Sequence, residues 1–432
     1  MALAVDAVVL ADDPRARTRI AGLTACERAV RVARRLGAGR VFVVGVEGGR
    51  DALVAWRADA GAPLLVIRAD QLVHTPLAAP LVEAAPVADG IVVAIGPEGA
   101  YAGALIAHGA TASVVSAALA RGDTDDAIVA ATPAVTRVEH GAIARHPIGT
   151  SAERAAAHRL LYRILIKPQD NAITRYLYRP VSFPLTRLLV HTPITPNQVS
   201  ALVGVLGMIG CWLTASASID RAILGTAIIL VGSYVDCCDG EIARVKLLSS
   251  RFGAWMDTIV DELSTIGYMV ALGVHGHLRY GPLYLGDLGV DPWLALTAGS
   301  LVTYGTSLYF VYYNIIVAVG SANSQDYVAR FVLAPGITAS SARLVPAPVS
   351  ATTSSLPPWV ATVGVWISYI VRRDFLTWLT LVMAIAHQTH VMFGLLVLGG
   401  LITFIVLVRD HAHLRGLRRS ARAAGQVLQP PR

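Results

Sequence analysis

Apolar residues are distributed unevenly along this chain. Nearly all the long apolar runs lie after position 198, whereas residues 1–150 contain short β-branched runs separated by amphipathic segments. A helical membrane span needs about 20 predominantly apolar residues. The pattern therefore predicts a polytopic, all-α membrane domain of six helices, at 199–215, 222–239, 252–272, 293–319, 375–387 and 391–408.

The first 150 residues are predicted to form a separate α/β domain. Unbroken apolar runs are typical of buried parallel strands, and the segments between them have helical periodicity. The predicted strands are 5–10, 40–46, 63–67 and 90–95, and the predicted helices are 23–36 and 77–84. This alternation favours a mostly parallel sheet covered by helices.

Basic residues mark the predicted junction and the tail. Segment 172–189 carries Arg175, Arg179 and Arg187 among apolar residues, which is typical of a helix lying on a membrane surface. Residues 151–197 are therefore predicted to be an interfacial junction, residues 198–410 the membrane domain, and residues 411–432 a basic, mobile tail. Residues 319–358 are predicted to be a long loop.

The charge distribution predicts a membrane partner. The formal net charge of +7 is spread over flanks and loops and forms no compact basic patch, so membrane lipids are a simpler partner than a nucleic acid. Loops on one side of the predicted spans carry most of the arginines. The positive-inside rule then places the chain in the inner (cytoplasmic) membrane, with both termini and the α/β domain in the cytoplasm.

Four carboxylates lie next to or within the second and third apolar runs. Asp236 and Asp239 are three positions apart, and Asp257 and Asp261 are four apart, so each pair shares one helix face. An ionised group at membrane depth costs about 2.5 to 3.5 kcal/mol, so four of them need a compensating partner. Carboxylate oxygens are ligands for hard cations such as Mg²⁺. The pattern predicts a metal site.

Three neighbouring residues extend this chemistry towards phosphate. Gly240 and Gly253 lack a Cβ atom, which allows a ligand to approach the backbone closely. Arg244 carries a guanidinium suited to a phosphate group. Together with a metal, these residues indicate a site that cleaves a pyrophosphate.

The complete motif resembles the signature of the CDP-alcohol phosphotransferase family. It comprises Asp236, Asp239, Gly240, Ala243, Arg244, Gly253, Asp257 and Asp261. The resemblance implies a six-helix membrane enzyme that moves a substituted phosphate from a CDP-linked donor to an acceptor alcohol and releases CMP. It also implies a homodimer and two Mg²⁺ or Mn²⁺ ions.

The same resemblance assigns roles to the motif residues. Asp236, Asp239 and Asp257 would bind metal, and Asp261 would be the general base and lie close to a metal. The nucleotide would be bound by Gly240, Ala243, Gly253 and the phosphate-contacting Arg244.

Two further segments resemble parts of this family. Thr195-Pro196-Asn197-Gln198 resembles the entry to the first membrane helix, which implies that Asn197 contacts nucleotide, although helix capping explains it nearly as well. Arg372-Arg373-Asp374 resembles a segment of the inositol-type enzymes. Arg372 and Arg373 would then bind the phosphate of an acceptor, or they set the membrane topology.

The α/β domain resembles the nucleotidyltransferase domains of bifunctional inositol-phosphate cytidylyltransferase and di-inositol-phosphate-phosphate synthase fusions. Such domains bind a triphosphate with a glycine-rich loop and a lysine. Residues 11–17, Ala-Asp-Asp-Pro-Arg-Ala-Arg, contain neither. Asp70 lies where the family has a metal-binding acid. We therefore predict a degenerate domain with a structural or regulatory role.

Three functions remain open at this point. The fusion pattern favours transfer from CDP-inositol to an inositol phosphate. The same motif also serves phosphatidyl transfer from CDP-diacylglycerol to a polyol or polyol phosphate, which would make this a phospholipid synthase. A non-catalytic membrane scaffold that senses nucleotide through residues 1–150 is the alternative from another class.

Overall fold

The computed structural model describes residues 5–58, 61–84, 89–166, 170, 172–281, 290–321, 326–336, 341–347 and 373–429. The chain divides into two compact units. The first unit contains residues 1–170, 183–195 and 240–248, and the second contains residues 171–182, 196–239 and 249–432.

A six-stranded sheet forms the centre of the first unit. The strands of this unit are β1 Val5–Leu10, β2 Arg19–Ile20, β3 Leu23–Thr24, β4 Ala38–Val44, β5 Leu64–Arg68, β6 Gln71–Val73, β7 Gly90–Ile95, β8 Tyr101–His108, β9 Val135–Glu139 and β10 Arg145–Pro147. The order in the main sheet is β4-β1-β5-β8-β7-β9. Strand β8 is antiparallel to its neighbours and the other pairs are parallel, so the predicted mostly parallel sheet is confirmed.

Helices cover both faces of this sheet. They are α1 Ala25–Arg35, α2 Ala52–Arg57, α3 Ala79–Glu83, α4 Gly109–Ala120 and α5 Asp125–Ala131, and the chain continues through α6 Ser151–Arg163 and α7 Arg179–Leu189. Helix α1 begins with a capping box, in which Thr24 and Glu27 each accept a hydrogen bond from the other's backbone N–H. Separate apolar clusters pack against the two faces.

The second unit is mainly helical. Its long helices are α8 Pro196–Thr214, α9 Ile219–Val245, α10 Arg251–Tyr280, α11 Pro292–Tyr313, α12 Arg373–Ile385 and α13 Thr389–Ala423. A π-helical segment, Asn314–Val319, continues α11, and another, Thr174–Tyr178, precedes α7. The last residues of α9 belong to the first unit.

Among the described residues, four helices are long and apolar enough to cross a membrane. They are Pro196–Thr214, Ile219–Val245, Pro292–Val319 and Thr389–Ala423. Helix α10 has 30 residues, but Asp257, Asp261 and Glu262 interrupt its apolar surface. The described part of α12 has only 13 residues. The third and fifth predicted spans, 252–272 and 375–387, therefore remain predictions.

Helices α8 and α9 approach each other at two glycines. A Cβ atom on Gly225 would lie 2.5 Å from Gly210 O, and one on Gly210 would lie 2.7 Å from Gly225 O. Small residues at a helix crossing allow two backbones to come this close. The crossing fixes the helix that carries Asp236 and Asp239.

Two predicted irregular segments contain regular structure. Residues 319–358 were predicted to be a loop, yet β11 Phe331–Pro335 and β12 Ser341–Pro346 form an antiparallel pair there. The predicted mobile tail continues α13 as far as Ala423, and β13 Val427–Leu428 then pairs in parallel with β12. Backbone hydrogen bonds, which composition does not reveal, form this small sheet.

Candidate active site

Three of the four predicted carboxylates come together in the second unit. Asp236 lies on α9, and Asp257 and Asp261 lie one turn apart on α10. Each offers an oxygen atom, and these three atoms lie within 4.8 Å of one another. The helical spacing recognised in the sequence thus places Asp257 and Asp261 on the same face, opposite Asp236.

The group has the properties expected of a cation site. Asp236 Oδ1 and Asp261 Oδ1 are buried and have no hydrogen-bond partner among the described residues. Burying an acceptor without a hydrogen-bond partner costs about 1 to 3 kcal/mol of folding free energy, and burying a charged acceptor costs more. Oxygen ligands around one Mg²⁺ or Ca²⁺ ion lie within about 4 to 5 Å of one another. The residues present therefore fit a hard divalent cation.

Asp239 lies outside this group of three. It follows Asp236 by one turn of α9, is buried, and its Oδ2 accepts a hydrogen bond of 2.5 Å from Ser200 Oγ on α8. This contact joins the motif helix to the helix that begins beside Asn197. The role of Asp239 as a metal ligand remains a prediction.

Arg373, the first described residue of α12, forms an ion pair with Asp261 Oδ2. Its side chain is 38 % exposed, so one part faces the carboxylate and another part is open. Thr174 Oγ1 donates to Asp374 Oδ2 at 2.7 Å, and Tyr178 Oη donates to Asp374 O at 3.0 Å. These bonds hold the start of α12. Arg372 lies outside the described residues.

The residues predicted to bind nucleotide are found in two groups. A Cβ atom on Gly253 would lie 3.0 Å from Asn197 Oδ1, so these two residues are neighbours. On α9, a Cβ atom on Gly240 would lie 3.3 Å from the guanidinium of Arg244, one helical turn away. Ala243 lies on the same helix and is half-buried. The glycines thus leave space beside a polar and a cationic side chain.

A cavity of about 340 Å³ opens beside Asp261 and Arg373. Hydroxyl side chains from four helices line much of it, and they are Thr226, Ser233, Ser264, Thr265, Tyr268, Tyr304, Thr377 and Thr380. All the serines and threonines in this set donate their proton to the carbonyl four residues earlier. Each of these hydroxyls therefore retains lone pairs, which can accept hydrogen bonds from a ligand.

Sequence reasoning missed one acid in this cavity. Glu262 follows Asp261 on α10 and lines the same cavity, where its Oε2 accepts a hydrogen bond from Tyr304 Oη. The available signal was a third acid in an apolar helix, since a charge at membrane depth requires a partner. The partner is a tyrosine 42 positions away, which no local pattern indicates.

The first unit has its own polar pocket, of about 600 Å³, at the carboxyl ends of β1 and β5. Arg15 pairs with Asp13 at 2.6 Å and with Asp70 at 3.2 Å, and Arg50 pairs with Asp12 at 2.6 Å. The hydrogen bonds from Arg15 lower the pKa of Asp13 to about 2. Asp70, which the resemblance compares with a metal-binding acid, thus has an arginine as its partner.

Comparisons with known proteins find similarity over the segment that contains the carboxylate group. The sequence profile of the CDP-alcohol phosphatidyltransferases matches residues 193–385. The bifunctional IPC transferase and DIPP synthase of Aquifex aeolicus is 30 % identical over 38 % of this chain and 36 % of its own length. The archaetidylinositol phosphate synthase of Pyrococcus horikoshii is 31 % identical over 25 % of this chain and 58 % of its own length.

A plant protein is also similar. CDP-diacylglycerol–glycerol-3-phosphate 3-phosphatidyltransferase 1 of Arabidopsis thaliana is 28 % identical over 28 % of this chain and 37 % of its own length. The chain thus spans between 36 % and 58 % of the length of these three relatives. All three are named as transferases or synthases.

Proposed function

We propose that this chain is a membrane transferase that moves a substituted phosphate from a CDP-linked alcohol to a second alcohol, because residues 193–385 match the sequence profile of the CDP-alcohol phosphatidyltransferases. The observation that carries the proposal is the group formed by Asp236, Asp257 and Asp261, with its two unpartnered buried oxygens. These oxygen atoms can bind a divalent cation, and a divalent cation can in turn bind the oxygens of a pyrophosphate.

The protein residues have defined tasks in this reaction. Asp261 accepts the proton of the acceptor hydroxyl while that oxygen forms a bond to phosphorus. The bond between this phosphorus and the oxygen of CMP breaks, and CMP leaves. Arg244 donates hydrogen bonds to the phosphate, where negative charge develops.

Two Mg²⁺ or Mn²⁺ ions complete the proposed site. Asp236, Asp239, Asp257 and Asp261 would hold them. When bound, such ions polarise the phosphoryl oxygens and stabilise the departing CMP. Gly240, Ala243, Gly253 and Asn197 line the nucleotide pocket in this proposal.

The acceptor is proposed to be a polyol phosphate. The hydroxyls that line the cavity beside Asp261 can accept hydrogen bonds, which suits a ligand with many hydroxyl donors. Arg373 supplies a cation at the same cavity, and Arg372 is proposed to assist it in binding the acceptor phosphate. Transfer from CDP-inositol to an inositol phosphate fits these features, and the Aquifex relative supports it.

Phosphatidyl transfer from CDP-diacylglycerol is the second candidate, supported by the plant relative. A non-catalytic scaffold that senses nucleotide is the third candidate, because residues 1–150 contain a polar pocket. The arginines of this pocket are, however, paired with acids of the same domain. We favour a degenerate nucleotidyltransferase-like domain with a structural role. The proposal further includes six spans, cytoplasmic termini and a homodimer in the inner membrane, with no nucleic-acid partner.

The first experiment is CMP release by the detergent-purified protein with Mg²⁺. CDP-inositol and CDP-diacylglycerol are each supplied with inositol phosphate, inositol or glycerol 3-phosphate, and Asp257→Ala is the blank. We expect turnover of CDP-inositol with the phosphorylated acceptor, which an excess of EDTA stops and Mg²⁺ restores. Turnover of CDP-diacylglycerol alone would establish the second candidate. If no pair of substrates is turned over, the non-catalytic scaffold is the candidate that remains.

The same assay tests Arg373. Arg373→Gln is expected to raise KM for inositol phosphate about 10- to 100-fold, because a charge-assisted pair is lost. KM for the CDP donor should change less than about threefold. An equal loss with unphosphorylated inositol would contradict a role in binding phosphate.

A further inference from the structure

The C-terminal end of α9, which carries Arg244, is bound by two arginines of α1. Arg28 Nη1 donates to Val245 O at 2.8 Å, and Arg31 Nη1 donates to Lys246 O at 2.7 Å. These residues all belong to the first unit. The last carbonyls of a helix have no partners within it, and cations are favourable at that end. The two arginines supply both the missing donors and the charge.

Arg28 is an unusual residue for this purpose because its side chain is 0 % exposed. Its Nη2 also donates to Ile20 O at 3.2 Å, and no carboxylate pairs with it in the described part of the chain. Burial lowers the pKa of Arg28 to about 10. A buried cation is costly unless it is hydrogen-bonded, so loss of the Val245 carbonyl would leave Arg28 poorly compensated.

The chain after the helix is also fixed. Lys246 Nζ donates to Thr192 O at 2.6 Å, and Leu247 packs into the apolar cluster on one face of the main sheet. Leu247 has a φ of +55°, in the left-handed region that residues with a Cβ atom rarely adopt. Such a conformation persists where the surrounding packing determines it. The turn that follows Arg244 therefore has little freedom.

From these contacts we propose that Arg28 is a positioning residue for Arg244, so that the α/β domain acts in catalysis by holding the last turn of the motif helix. The inference rests on the proposed role of Arg244 at the phosphate. Val245, whose carbonyl Arg28 binds, is the next residue along the chain. Unwinding of this turn would move the Arg244 guanidinium away from its place. The domain needs no phosphate-binding loop for this task.

A double-mutant cycle tests the coupling. Arg28→Met keeps an apolar side chain of similar length but removes the donors, and we expect kcat/KM for CMP release to fall about 10- to 100-fold. In an Arg244→Ala background, Arg28→Met should change kcat/KM less than about threefold, because the residue it positions is already absent. Arg28→Lys should recover part of the rate. Equal losses in both backgrounds, or no loss in either, would overturn the proposal.

A second measurement does not depend on activity. The amides of Lys246 and Leu248 bond to Ile242 O and Ala243 O, so hydrogen exchange in 240–248 reports whether this turn is intact. We expect Arg28→Met to accelerate their exchange at least about tenfold. Unchanged exchange would refute the positioning role of Arg28, whereas a wild-type protein that releases no CMP would refute the proposed function alone.

Arg34→Met is the matched control for both measurements. Arg34 is exposed on the same helix, and its side chain makes no hydrogen bond or ion pair within the described residues. Its rate and exchange should equal those of the wild type. If Arg28→Met does not fold, Arg31→Met takes its place in the same cycle, because its bond to Lys246 O is only partly buried.

Discussion

Asp261 has two prospective partners at the residue scale, the guanidinium of Arg373 and a bound cation. Its Oδ2 pairs with Arg373, whereas its buried Oδ1 has no hydrogen-bond partner among the described residues. One carboxylate can therefore contact an arginine with one oxygen and a metal or substrate with the other. This division is consistent with a base that is oriented before the acceptor arrives.

The first prediction concerns this carboxylate. Asp261→Asn keeps the shape of the side chain but removes the group that accepts the proton. We expect kcat for CMP release to fall about 10²- to 10⁴-fold, the usual contribution of a general base. Asp220→Asn, an exposed residue in the first turn of α9, is the control and should be unaffected. A near-normal rate for Asp261→Asn would remove it from the mechanism.

The residues that sequence reasoning identified differ in kind from those it missed. Helical spacing alone predicted that Asp257 and Asp261 share a face, because three- and four-residue separations are local. Pairing of Arg373 with Asp261 joins residues more than 100 positions apart, and it depends on how α12 packs. The partner of Asp239, Ser200, was unpredictable for the same reason.

At the scale of elements, the crossing of α8 and α9 depends on the missing side chains of Gly210 and Gly225. Each glycine lies against the backbone of the other helix. Sequence reasoning predicted both helices from their apolar runs. It gave no indication of the crossing, because glycines in apolar helices are common and only some of them lie at an interface.

The second prediction follows from this crossing. Gly225→Ala places a Cβ atom 2.5 Å from Gly210 O, so the helices must separate. We expect the free energy of unfolding to fall by about 1 to 3 kcal/mol, as for other overpacked contacts. This change would be measured as a lower melting temperature in detergent. Gly399→Ala on α13, where the added atom meets open space, should leave that temperature unchanged or slightly raised. Equal melting temperatures for the two variants would contradict the close crossing.

The strands of the main sheet also show that local sequence patterns predict some elements and miss those that depend on tertiary contacts. β1, β5 and β7 were predicted to within two residues because their runs are apolar and β-branched. Strand β8, Tyr-Ala-Gly-Ala-Leu-Ile-Ala-His, was missed because alanine and glycine have low strand propensity. Its place is determined by the pairing of both edges with β5 and β7, which is tertiary information.

At the scale of the whole molecule, the third prediction concerns acid sensitivity. Burial, assisted by the charges of Arg28 and Arg35, lowers the pKa of His74 to about 4 from 6.5. The unfolded chain therefore binds a proton that the folded chain does not, and stability falls as the pH falls from about 6.5 to 4. Below that range the loss levels off.

The free energy of unfolding is expected to fall by about 2 to 3 kcal/mol between pH 7 and pH 4, from the size of the pKa shift of His74. The measurement is the unfolding midpoint of wild type and His74→Gln between pH 7 and pH 4. The variant, which has no titrating group at this position, should lose less stability over the same range. Parallel curves for the two proteins would show that His74 does not titrate in this way.

Helix α13 has 35 residues and so extends about 52 Å. The hydrocarbon layer of a bilayer is about 30 Å thick, so roughly 20 Å of continuous helix lies beyond it. At one end, Thr389 Oγ1 is 3.0 Å from His275 Nε2, and beyond the other end β13 pairs with β12. A continuous helix that is held at both ends moves as one body. A tilt of α10 at His275 would therefore also displace the small sheet formed by β11, β12 and β13.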